Sequence, residues 1–248
     1  MQSVGYVNSY VNNLFYNNME RVVIIDNLRG IAFLFMVFQH LFYFYDVSTD
    51  HKTSYSKNIL VDNAGLIART MFILLAGYSI SMTYKKDNKI HLKKRIKRSS
   101  EILIHGLFLT CLTFFLYPNN FIRFGILHFL ALSTLLISVL APYKIGTVIV
   151  LIISFFAKYP SINTYIDTIT GANAPASMMD WFPLDKWMPI ILSGLVIGQN
   201  VDLSKINLPI LEFNNIITDI GKNSLNLYTI HVTVLIIVYT FLNQNTAR

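Results

Sequence analysis

Asp26, Arg29 and His40 lie along one apolar run near the start of the chain. At 3.6 residues per turn, Arg29 and His40 are almost three full turns apart and share a helix face. The rise between them is about 16 Å, roughly half the hydrocarbon thickness of a bilayer. A guanidinium at one end of such a stripe can bind an anion. A buried imidazole at the other end can move a proton or carry an acyl group. The same residues also read as an interfacial ion pair, Asp26 with Arg29, and a helix-packing hydrogen bond from His40. Further along, Arg69, His128 and His231 sit inside apolar runs, and Arg123 lies at the end of another. Ser224 and Tyr228 precede His231 by seven and three residues, on nearly the same face. Ionisable groups inside a membrane are costly, so each invites a functional reading, and the three histidines would suit one cavity.

These residues are informative because charge is scarce. Of 248 residues, 54% are hydrophobic and 13% charged, where a soluble domain carries about 25% charged. With 18 Phe and 14 Tyr, the chain has too little charged surface for a soluble fold. High apolar content excludes disorder, and a single cysteine, Cys111, excludes a disulfide scaffold. The sequence therefore predicts an all-α, multi-pass integral membrane bundle. Seven apolar runs are read as transmembrane helices, at about 28–46, 62–84, 100–117, 121–141, 144–159, 187–200 and 223–243, the fifth and sixth being short. Helices are required because lipid offers no partner to backbone N–H and C=O groups.

Orientation follows from the basic residues. Lys85, Lys86, Lys89, Lys93, Lys94, Arg95, Lys97 and Arg98, eight of the twenty Lys and Arg, fall between the second and third runs. That segment is expected in the cytoplasm, which puts the N-terminus inside as well. The net charge of +7 is then largely one loop that fixes topology, touches anionic lipid or attracts an anionic cosubstrate. No nucleic acid is expected, since no binding fold accompanies the charge. Residues 1–20 form a polar tail without a cleavable signal, and 21–248 form a single domain. The 160–186 stretch is the one sizeable insertion, with room for a short helix or lid. Trp181 and Trp187 read as an aromatic belt. Gly194 and Gly198 read as a close helix contact, which would also serve a homodimer. His105 and Cys111 are assigned to packing, and His91 to the basic loop. No metal-ligand spacing, phosphate loop or nucleophile elbow occurs.

One set of residues resembles a known family. Arg21-Val-Val-Ile-Ile-Asp26-Asn-Leu-Arg29-Gly30-Ile-Ala, followed by Met36-Val-Phe-Gln-His40, resembles the opening of the heparan-alpha-glucosaminide N-acetyltransferase catalytic-domain family. Ala68-Arg69-Thr70-Met71-Phe72 with Ala76-Gly77, and Ile122-Arg123-Phe124-Gly125-Ile126-Leu127-His128, are similar to its second and fourth spans. Phe182-Pro183-Leu184 before Trp187 and Gly194, and Gly221-Lys222-Asn223-Ser224 through His231, follow in the family's order. The likeness covers about 21–240. Lys186 stands where the family often has Pro, and the large luminal segment and extra spans of animal members are missing.

The resemblance implies acetyl transfer from cytosolic acetyl-CoA, a cosubstrate rather than a bound cofactor, to an acceptor at the opposite face. For a short chain of this kind, an envelope or surface glycan is the expected acceptor. Arg29, with Arg21 and the basic loop, would hold the CoA phosphates, and Asp26 would stand with them at the cofactor-binding mouth. His40 would act as general base or acyl carrier, with His51 as the positional counterpart of the family's luminal histidine. His128 and His231 would assist, and Arg69, Arg123 and His51 would meet the acceptor or the oxyanion. A different class of reading is a multi-span transporter of a small anion or lipid-linked sugar, for which no internal repeat is found. A non-catalytic scaffold is a third, and it would not need ionisable groups in four spans.

Overall fold

The computed structural model describes residues 23–49, 53–87, 89–158, 160–172, 179–203 and 215–246. Arg21 and His51 lie outside these residues. The described residues form nine α-helices, two short 3-10 turns and no strand. In chain order the helices are α1 (Val23–Ser48), α2 (Ile59–Asp87), α3 (Leu92–Leu116), α4 (Ile126–Ile137), α5 (Lys144–Phe156), α6 (Thr164–Thr170), α7 (Leu184–Asn200), α8 (Asn215–Lys222) and α9 (Ser224–Thr246).

Each apolar run read from the sequence contains a helix. Four helices, α1, α2, α3 and α9, are long and apolar enough to cross a membrane. The other three of the expected seven, α4, α5 and α7, have 12, 13 and 17 residues. At 1.5 Å per residue each is shorter than a straight 30 Å crossing. Phe115 and Phe156 are each 81% exposed, and large apolar side chains crowd the outer faces of α3, α5 and α9. Such a surface is stable against lipid and not against water. The protein is an integral membrane protein. Ser and Thr hydroxyls within the helices turn back on their own backbone, as Ser79 does on the Leu75 carbonyl (2.6 Å) and Thr233 on that of Thr229 (2.7 Å). This satisfies donors where water is absent.

Helix α1 packs against α2, α8 and α9, and α2 also packs on α7. The closest approaches are made by glycine. A Cβ on Gly77 would run into the Ile191 carbonyl of α7, and one on Gly194 into the Leu74 carbonyl of α2. Gly198 meets Tyr78 and Ser81 of α2. The Gly194–Gly198 face is therefore a close helix contact, as its spacing predicts, and it is made inside one chain. Gly30 of α1 faces the Ile217 carbonyl of α8, and Gly221 of α8 faces the Asp26 carbonyl of α1. Thr218 donates to Asn27 Oδ1 (2.5 Å) in the same seam.

Helix α4 is short for a physical reason. Ile122–Gly125 precede it as extended chain, and Phe124 forms an isolated parallel bridge with Trp181. The Phe182 amide donates to the Phe124 carbonyl (2.9 Å), Met179 N to Asn120 O (3.0 Å) and Ile122 N to Thr113 Oγ1 (3.1 Å). Irregular backbone is tolerated at membrane depth when protein covers it and its polar groups are paired. The 160–186 insertion does hold a short helix, α6. Asn163 caps it, accepting from the Tyr165 and Ile166 amides, and Gly171 ends it at φ 94°. Trp187 departs from the belt expectation, being 5% exposed and stacked on Phe182 in the core. His105 bonds Thr229 across α3 and α9 (2.9 Å), a packing role, whereas Cys111 is exposed rather than packed.

Candidate functional site

Two cavities lie one above the other inside the bundle. The first, about 200 Å³, opens at the end that carries the basic 85–98 segment. Arg29, Ser79, Arg95, Arg98 and Lys222 line it, with apolar walls from Phe72, Ile102, Leu127 and Leu130. The second, about 150 Å³, lies toward the far end and is lined by Gln39, His40, Tyr43, Arg69, Asp180 and apolar neighbours. Three residues line both: Met36, Ile126 and Tyr228. All three are buried. They stand between the two cavities as a partition.

Helix α1 spans the whole arrangement. Arg29 faces the basic-end cavity, Met36 the partition and His40 the far cavity, so the stripe expected from spacing exists. Arg29 Nη1 donates to Asp26 Oδ1 (3.2 Å) and Nη2 to Ser79 Oγ (2.6 Å). Because Ser79 donates its own hydrogen to Leu75, its lone pairs are free to accept from Arg29. Asp26 is 3% exposed and does not line the cavity, so it orients Arg29 rather than meeting a ligand. Arg98 pairs with Glu101 (3.2 Å) and Lys222 with Asp219 (2.9 Å). Exposed pairs of this kind are worth about 0–1 kcal/mol, little enough for a polyanion to displace them.

Two of the three expected histidines meet beside the far cavity, which His40 lines and His231 does not. His40 Nδ1 is 2.9 Å from His231 Nε2, the rings stacked at 15° with centroids 5.1 Å apart. His231 Nδ1 lies 3.0 Å from the Leu227 carbonyl. A carbonyl only accepts, so His231 carries its hydrogen on Nδ1. For two neutral rings, His231 Nε2 then accepts from His40 Nδ1–H, and His40 keeps its lone pair on Nε2. Phe33 and Tyr228 pack edge-on against the His231 ring.

His128 is not part of this pair. It is buried against α3, with Nε2 3.3 Å from Thr110 Oγ1 and its ring beside Gly106. Arg123 lies over the Phe121 ring, 5.1 Å from its centroid, and lines neither cavity. Arg69 does line the far cavity, pairing loosely with Asp62 (3.5 Å). Its Nε is buried without a partner among the described residues.

Asp180 is the site residue that spacing did not reveal. The Phe124–Trp181 bridge carries it to the start of α4, where Oδ2 accepts from the Ile126 amide (3.1 Å). A Cβ on Gly125 would collide with that carboxylate. Burial pushes the Asp180 carboxyl up to about 6, against the downward pull of the Ile126 amide, Arg69 and the Trp181 amide. Tyr43, three residues after His40, donates to the Met179 carbonyl (2.8 Å) and ties this segment over the cavity. Among the described residues no group of His, Cys, Asp and Glu is arranged to hold a metal.

No curated protein and no solved structure matches the chain. A family does, over residues 21–233, a span that runs from just before α1 to just past His231 and takes in both cavities. The chain belongs to the heparan-alpha-glucosaminide N-acetyltransferase catalytic family, a family of membrane acyltransferases.

Proposed function

We propose that the protein moves an acetyl group from acetyl-CoA in the basic-end cavity to an amine or hydroxyl of an envelope or surface glycan in the far cavity. The observation that carries the reading is the run of Arg29, Met36 and His40 on one helix, from one cavity through the partition to the other. In this reading the N-terminus and the 85–98 segment are cytoplasmic. The shorter α4, α5 and α7 complete the crossing together with the segments that flank them.

Arg29, Arg95, Arg98 and Lys222 hold the CoA phosphates through charge-assisted hydrogen bonds. The pantetheine arm points along the apolar walls toward Met36, and the thioester comes within reach of His40. The acceptor nitrogen or oxygen attacks the thioester carbon while His40 Nε2 takes its proton. The tetrahedral intermediate collapses as the C–S bond breaks, and the thiolate leaves with the proton from His40. The products are the acetylated acceptor and free CoA. His231 keeps the hydrogen on His40 Nδ1, so the reactive lone pair stays on Nε2. Arg69 stands where it can balance the oxyanion, and Asp180 orients the acceptor. If His40 carries the acetyl group itself, the same lone pair attacks the thioester carbon, the C–S bond breaks to release CoA, and the acceptor then takes the acetyl group as the N–C bond breaks, so that the kinetics are ping-pong.

Purified protein incubated with radiolabelled acetyl-CoA and amine- or hydroxyl-bearing glycans tests the reading. Labelled glycan, or labelled protein in the absence of glycan, is expected. The label should vanish in His40→Ala at unchanged yield and helical content. Wild-type turnover in that variant would remove His40 from the mechanism.

A further inference from the structure

The partition between the cavities points to a determinant of which acyl group is accepted. Met36 lies one helical turn before His40 on α1, about 6 Å along the axis. It lines both cavities, as do Ile126 at the first turn of α4 and Tyr228 on α9. Met36 and Ile126 are each 5% exposed. Resting on the functional reading above, a thioester that enters from the basic end must put its carbonyl carbon at this wall. The rest of the acyl group then shares that space with the Met36, Ile126 and Tyr228 side chains. From the named residues alone, we infer that Met36 and Ile126 set the length of the transferable acyl chain, confining the wild-type protein to acetyl.

An unwanted methylene in a closed apolar site costs about 10- to 200-fold in kcat/KM. Shortening the wall should return that factor. Met36→Ala removes three heavy atoms from the partition, and Ile126→Val removes one methyl group with little risk to folding.

The experiment compares acetyl-, propionyl-, butyryl- and hexanoyl-CoA as donors to one glycan acceptor, measuring kcat/KM for wild type, Met36→Ala and Ile126→Val in the same lipid discs. The expected wild-type ratio of acetyl over propionyl is at least tenfold. Ile126→Val should narrow the propionyl ratio several-fold, and Met36→Ala should raise butyryl relative to acetyl by tenfold or more. If Met36→Ala does not yield folded protein, the Ile126→Val ratio decides. Wild type that uses acetyl- and hexanoyl-CoA equally well overturns the inference and leaves the acetyl-transfer reading standing. So do variants that keep the wild-type ratios. Wild type that consumes none of the four donors overturns both.

Discussion

His40 can take a proton at Nε2 only while Nδ1 keeps its hydrogen, and His231 Nε2, 2.9 Å away, is the acceptor that holds it there. His231→Ala should therefore lower kcat by about 10²- to 10⁴-fold while the KM for acetyl-CoA stays put, since the donor cavity is untouched. A parallel rise in KM would mean that His231 shapes the bundle rather than the tautomer. His128→Ala should act the other way, lowering thermal stability and sparing kcat, because the ring is buried against Thr110 and lines neither cavity. Asp180 makes a prediction in pH. Its carboxyl rises from an ordinary 3.8 to about 6 in the folded protein, so the native state binds the proton more tightly than the unfolded chain. The stability this gives is full below pH 3.8 and is lost as pH rises through about 6. Asp180→Asn should remove that loss, so that melting temperatures of wild type and variant diverge between pH 4 and 7 in the variant's favour. Parallel curves would show that Asp180 is not buried as described. At this scale the sequence named both histidines, because a lone imidazole in an apolar run is visible by itself. It could not pair them, and it missed Asp180, whose position depends on a backbone bridge between segments more than fifty residues apart.

Helices α2 and α7 touch through Gly77, Gly194 and Gly198, where any Cβ would meet a carbonyl or a side chain of the other helix. Gly194→Ala should cost about 1–3 kcal/mol, read as a lower melting temperature in detergent. A neutral result would mean that the two helices separate easily. The helices were legible because hydropathy reports removal from water, and four of the seven apolar runs are long and apolar enough to cross a membrane. Their lengths were less so. The fourth run reads as one span over 121–141, yet the helix starts at Ile126, since Ile122–Gly125 pair with Thr113 and Trp181 instead of continuing the helix. Apolar content alone cannot separate a helix from extended chain that protein covers. Likewise Trp187 looked interfacial by type, and its stacking on Phe182 buries it.

At the scale of the bundle the two cavities differ in charge: Arg29, Arg95, Arg98 and Lys222 line one, while Arg69, Asp180 and His40 line the other. Replacing Arg95 or Arg98 by Ala should raise the KM for acetyl-CoA about 10- to 100-fold, the worth of a charge-assisted hydrogen bond, with little change in kcat. The wild-type KM should also climb with salt. Loss of kcat without a change in KM would move the donor elsewhere. The basic segment was readable as one charged stretch, whereas the two cavities arise only from folding α1, α2, α3, α4 and α9 together. The most direct measurement uses sealed liposomes with the protein in one known orientation. Radiolabelled acetyl-CoA is supplied on the side of the basic 85–98 segment and a membrane-impermeant glycan acceptor on the other. Acetylated glycan should form on the acceptor side, with CoA released on the donor side, and neither should form with His40→Ala. Product that forms only when donor and acceptor share one side would contradict transfer across the partition.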